Sequence, residues 1–170
     1  MKGKQICACL LIVVLLLAGL SGCGKKQKME QYDWQLYGAW ISESGTAGEK
    51  ISFSYSASLP TEPMTEPEVI ISKETLHFPS DFPYSAGSDQ QIQVIPLTSE
   101  NGELCVHVIG FADRKSDSLP MITNYVVYPE QELMVFLWDE GYFVASTDPD
   151  ADLAKLFEEN RDIDKLHQLG

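Results

Sequence analysis

The sequence predicts a mainly β protein: an antiparallel meander of about nine strands forming a small barrel or curled sheet, finished by a C-terminal helix. Three observations predict it. Ile51, Phe53, Tyr55 and Ala57 alternate with Ser52, Ser54, Ser56 and Ser58, a period of two that packs one face of a strand and wets the other. Turn residues recur at short intervals, with Asn101-Gly102 between two apolar runs as the sharpest hairpin signal. After Asp148-Pro149 the period changes to helical, with Leu153, Leu156 and Phe157 on one face. No strand-helix-strand alternation occurs, which excludes a parallel sheet.

Taken in order, Leu36 to Glu43 reads as the first strand, Ser44 to Gly48 as a turn and Lys50 to Ala57 as the second strand. Leu59 to Pro67 holds Thr-Glu-Pro twice, and prolines at 60, 63 and 67 make it a loop. Val69 to Ser72 and Thr75 to Phe78 read as short strands around Lys73-Glu74, followed by an irregular stretch from Pro79 to Asp89. Gln90 to Thr98 and Glu103 to Ala112 flank the hairpin turn. Met121 to Tyr128, Glu132 to Asp139 and Tyr142 to Ser146 complete the strands, joined by turns at Pro129-Glu130-Gln131 and Glu140-Gly141. Asp148 is the expected N-cap, with Pro149 at the first position of a helix to about Asn160; Ile163, Leu166 and Leu169 extend it or form a second turn that packs on the sheet.

The first residues state an address. Lys2 and Lys4 precede an apolar run of 15 residues, Ile6 to Leu20, and small residues follow, which is the layout of a secretion signal. The run is short of the roughly 20 residues a spanning helix needs. Leu20-Ser21-Gly22-Cys23 resembles the lipobox of bacterial lipoproteins. That resemblance implies removal of residues 1–22, lipidation of Cys23 by acyl chains such as palmitate, and residence on the extracytoplasmic face of the cell membrane. Residues 24–31 are polar and basic and read as a flexible tether, so 32–170 form one β-rich domain with its C-terminal helix. With Cys7 and Cys9 in the signal and Cys23 consumed by lipid, Cys105 is a single thiol without a disulfide partner, and a buried strand position is its expected place.

A second resemblance is weaker and shorter. Gly38-Ala39-Trp40 resembles the Gly-x-Trp element on the first strand of lipocalin-like proteins, and the strand pair within Ile70 to Phe78 is similar to small lipocalin-like domains of bacterial lipoproteins. The resemblance implies an up-and-down β-barrel with Trp40 closing one end, and binding of a small apolar ligand at that mouth.

The full chain carries 12 Lys and Arg against 25 Asp and Glu, a net charge of −13. Losing Lys2 and Lys4 with the signal leaves 10 against 25, or −15. Nucleic acid is thereby excluded as a partner, since phosphate binding needs clustered cations. Asp148, Asp150, Asp152 and Glu159 imitate a calcium loop, but Leu153 stands where the loop needs glycine, and acids at a helix start need no ion. Cys105 and His107 share a strand face without a second ligand pair, and His77 and His167 stand apart, so no metal or cofactor is expected. No Gly-x-Ser-x-Gly turn, Ser-x-x-Lys or phosphate loop occurs, so no catalytic residue is nominated.

Aromatic residues on strands are the better lead. Trp40, Tyr55 and Trp138 are the expected ligand-binding residues if the barrel holds a cavity, though a packed interior suits so short a barrel better. The expectation is a non-catalytic, membrane-anchored binding or interaction module of the cell envelope. Its partners are the membrane, through the lipid on Cys23, and either a small apolar ligand or an envelope protein, the latter on the Pro60 to Pro67 loop or a sheet edge. Two other readings stand: an envelope hydrolase whose carboxylates converge only in the fold, and an accessory subunit of an envelope complex.

Overall fold

The computed structural model describes residues 27–66, 68–80, 84–85, 90–114, 121–138 and 141–160. Nine strands occur among them: β1 (Met29–Ile41), β2 (Ile51–Pro60), β3 (Ile70–His77), β4 (Tyr84–Ser85), β5 (Gln90–Thr98), β6 (Leu104–Arg114), β7 (Met121–Tyr128), β8 (Leu133–Trp138) and β9 (Gly141–Ser146). Eight of them pair antiparallel around a ring in the order β1, β2, β3, β5, β6, β7, β8, β9, and β9 returns to β1 through Tyr37↔Ser146 to Ile41↔Tyr142. The ring is a closed up-and-down barrel, and closure removes the edges an open sheet would expose. Tyr84 and Ser85 ride on the far end of β6, opposite Arg114 and Asp113.

The period-two pattern of β2 becomes the barrel wall. Phe53, Tyr55, Ala57 and Leu59 are each at most 1% exposed, while the serines between them face outward. These inward residues meet Leu36 of β1, Leu76 of β3, Ile92 and Val94 of β5, Val106 and Val108 of β6, Tyr125 and Val127 of β7, Met134 and Phe136 of β8, and Phe143 and Ala145 of β9. A second apolar cluster lies outside the barrel, where Ala39, Ile41, Cys105, Val126, Val135, Leu137 and Val144 pack with Leu153 and Phe157 of the helix. Strands β6 to β9 are therefore apolar on both faces, which is why Leu133 to Leu137 runs without alternation.

Several elements differ from the sequence reading for local reasons. β1 reaches back to Met29, so residues 29–31, read as tether, are paired with Ser58, Leu59 and Pro60. The two short strands around Lys73-Glu74 are one continuous β3, because both residues pair with Gln91 and Gln90 of β5. In the β5–β6 hairpin Gly102 takes a positive φ of 85° and donates its N–H to Ser99, whereas Asn101 keeps an ordinary φ. The helix α1 spans Leu153–Glu159, four residues later than Asp148-Pro149 suggests. Asp148 instead bends the chain, its carboxylate accepting from Asp150 N–H, and Asp152 is the true N-cap, accepting from Lys155 N–H at 3.1 Å. Residues 163, 166 and 169 of the expected extension, like the signal and Cys23, lie outside the described residues.

Candidate functional site

At the end of β1 farthest from Met29, the Gly-x-Trp element has a steric basis. A Cβ on Gly38 would lie 2.4 Å from the Phe143 ring and 2.9 Å from Ala145 Cβ, so only glycine lets that ring cross the β1 backbone. The Phe143 ring in turn carries Trp40 edge-on, with centroids 5.5 Å apart. Trp40 is 40% exposed, a large apolar side chain anchored on one side and open to solvent on the other. It borders an open pocket of about 530 Å³ with Ile41, Ser42, Thr46, Ala47 and Gly48, held by the bond from Gly48 N–H to the Trp40 carbonyl at 2.8 Å.

Trp40 and Tyr55 do not share a pocket. Tyr55 is 1% exposed in the barrel interior, against Trp34 and Tyr125. A chain of ring contacts runs from Trp40 through Phe143, Phe136 and Tyr125 before it reaches Tyr55, so these two residues lie in separate environments. Trp138 ends β8 opposite Gly141, and its side chain lies outside the described part. Phe53 stacks on Phe78 at 4.7 Å and meets Phe136 and Phe143, so rings fill this part of the interior.

The sequence reading missed the most unusual group in the barrel. Once β3 is continuous, Glu74 falls on the same face as Leu76, which points its side chain inward at 2% exposure. The common parity of Glu74, Leu76 and Phe78 is the signal in the sequence, and it is hidden when Lys73-Glu74 is left between two short strands. Burial pushes the carboxyl up to about 7, and the hydrogen bond from Gln90 holds it below where burial alone would put it. Gln90 donates to Oε1 at 2.8 Å and the Tyr125 hydroxyl donates to Oε2. Gly110 makes room for the head group, since a Cβ there would stand 2.9 Å from Glu74 Oε1 and 3.0 Å from Thr123 Oγ1. The hydroxyls of Tyr55 and Thr123 are buried beside this group with no hydrogen-bond partner. Burial, and then the charge of Glu74, raise the Tyr55 phenol well above its ordinary value and keep it neutral.

Glu74 also marks a weakness in the wall. The β2–β3 ladder has four residue pairs and stops at Ala57↔Glu74, while the β1–β2 ladder has ten. Beyond that point β2 and β3 diverge, bridged by Ser72 Oγ–H donating to the Ser58 carbonyl at 2.5 Å. A groove of about 510 Å³ lies over the divergence, lined by Gln31, Ser56, Ser58, Ile71, Lys73 and Glu74 among others.

The remaining candidates stay structural. Cys105 is buried at 1% exposure in the outer cluster, and His107 pairs through Nε2 with Asn124 Oδ1. Among the described residues no three His, Cys, Asp or Glu side chains are grouped to hold a metal ion. Among the described residues Glu74 is the one buried carboxyl, without the facing partner that two-carboxylate hydrolysis uses. No family model, curated protein or solved structure matches this chain.

Proposed function

We propose that this protein is a lipid-anchored lipoprotein of the extracytoplasmic membrane face and that its barrel is a non-catalytic interaction module. The observation that supports the reading is how closely the barrel follows the lipobox. Thr61 N–H donates to the Lys28 carbonyl and the Gln27 amide donates to the Glu62 carbonyl, so the chain is held by the fold from Gln27 onward. Cys23 is four residues away, a reach of about 14 Å when extended. A lipid on Cys23 then keeps the Met29 end of the barrel, with the Thr-Glu-Pro loop, close to the bilayer.

The opposite end of β1, with Trp40, faces away from the membrane in that arrangement and is the surface a partner meets first. The aromatic filling of the interior favours a partner bound on this surface over a ligand enclosed in the barrel. The test is expression of the full chain in a bacterium with intact mass and detergent-phase partition. The wild-type protein should carry a diacylglyceryl mass on Cys23 and enter the detergent phase, and Cys23→Ala should lose that mass and retain residues 1–22. A photoreactive residue at position 40 should crosslink to envelope protein more than one at Lys28. An unmodified mature N-terminus overturns the anchor, and equal crosslinking from both positions overturns the orientation.

A further inference from the structure

We infer that the barrel lies against the bilayer through the outer face of β3, with Val69 and Ile71 seated among neutral lipids beside the acylated Cys23. The inference rests on the anchor proposed above and adds a second point of contact to it. Three observations carry it.

The first is where the exposed apolar side chains fall. Among the described residues the large apolar side chains that stand exposed are Trp40, Val69 and Ile71, at 40%, 55% and 56%. Trp40 leans on Phe143 at the far end of β1. Val69 and Ile71 instead lie together where β3 begins, Val69 just before the strand and Ile71 on its outer wall, opposite in parity to the buried Glu74 and Leu76.

The second is their level relative to the tether. Met29 pairs with Pro60, and the β2–β3 register of Ala57↔Glu74, carried on past the end of the ladder, sets Ile71 level with Pro60. Val69 then falls level with Glu62, whose carbonyl accepts from the Gln27 amide. Gln31 of β1 and Ile71 border the same outer groove, and two strand spacings are about 10 Å. The four residues from Gln27 back to Cys23 reach about 14 Å, so the acyl chains enter the membrane within reach of the apolar pair.

The third is the order of side chains along that face. Moving away from the tether, Val69 and Ile71 are followed by Lys73 and Thr75, each step of two residues rising about 7 Å. With the apolar pair at the acyl boundary, the Lys73 ammonium stands at the level of the lipid phosphates. Glu30, Glu62, Glu66 and Glu68 are exposed at this end and outnumber Lys28 and Lys73, so an anionic surface offers no advantage and the contact is apolar. The bilayer that holds Cys23 occupies the space beside the patch ahead of any protein partner.

The test uses the full lipidated chain in phosphatidylcholine vesicles, with intact mass establishing the lipid first. A nitrobenzoxadiazole dye is placed on Ile71→Cys and, separately, on Ser44→Cys in the exposed turn beyond Trp40. The dye at position 71 should emit at shorter wavelength and be quenched by doxyl-labelled phosphatidylcholine several-fold more strongly than the dye at position 44. Added phosphatidylglycerol should not strengthen the quenching. With the dye on Lys73→Cys, the exposed pair changed as Val69→Ser and Ile71→Ser should lose most of the lipid quenching while keeping the lipid mass. Equal quenching at positions 71 and 44 in a chain that carries the lipid, or no loss in the serine variant, overturns the contact and leaves the anchor standing. A chain without the lipid mass overturns the anchor and the contact with it. Shielding at position 71 that grows with protein density and ignores the lipid quencher puts a second copy on the patch, and overturns the contact as well.

Discussion

Glu74 and two glycines carry the sharpest consequences of single side chains. A carboxyl raised to about 7 in the fold and ordinary in the unfolded chain binds its proton more tightly when folded. Its contribution to stability is therefore fully present below the unfolded value and is lost as pH rises through 7. The loss amounts to at most about 3 kcal/mol. Urea unfolding of the wild type should show stability falling between pH 5 and pH 8, and Glu74→Gln should flatten that slope and be the more stable protein at pH 8; an unchanged slope would refute the assignment. At Gly38 the obstacle is the Phe143 ring, which cannot retreat because Phe53, Phe136 and Trp40 surround it. Gly38→Ala should cost about 2 kcal/mol by overpacking and loosen Trp40, read as a shift in its fluorescence. Gly110→Ala should cost a similar amount by pressing on Glu74 Oε1, with the difference that its penalty depends on pH.

At the scale of elements, the helix shows how a short segment is fixed by what it packs on. Seven residues are too few to hold a helix in water on their own. Leu153 and Phe157 are buried on the outer wall, and Phe157 lies 4.4 Å from the Tyr142 ring of β9. Asp152→Ala removes the cap and should cost about 1 kcal/mol, while Asp148→Ala, which loses one turn bond, should cost less; chemical denaturation separates the two. That order is the reverse of what Asp148-Pro149 suggests in the sequence. Lys50 is the reason: its ammonium donates to the carbonyls of Pro149 and Ala151, holding residues 149–151 as a turn against the start of β2. Such a tie links residues about a hundred positions apart and leaves no trace in local spacing.

At the scale of the whole molecule, closure makes the barrel one cooperative unit, since breaking any ladder exposes a core shared by all eight strands. Cys105 reports on it, being a free thiol buried in β6 and, on the proposed lipoprotein reading, the one thiol left unmodified. Labelling of Cys105 by a maleimide should proceed no faster than global unfolding and should accelerate with urea along the unfolding limb; rapid labelling in native buffer would show that the outer wall opens locally.

The antiparallel β class, the serine-backed strand β2, the Asn101-Gly102 hairpin and the burial of Cys105 are legible in the sequence because each depends on neighbours one or two residues away. Closure of β9 on β1 was decided by contacts across more than a hundred residues. The fold also decided the separation of Tyr55 from Trp40 and the inward turn of Glu74, the latter because pairing of Lys73 and Glu74 with Gln91 and Gln90 of β5 sets the parity of β3. A carboxyl inside a barrel is costly, and parity with Leu76 and Phe78 points Glu74 inward only once β3 is known to be continuous. Only the tertiary structure supplies the amide, the phenol and the missing Cβ of Gly110 that make the position tenable.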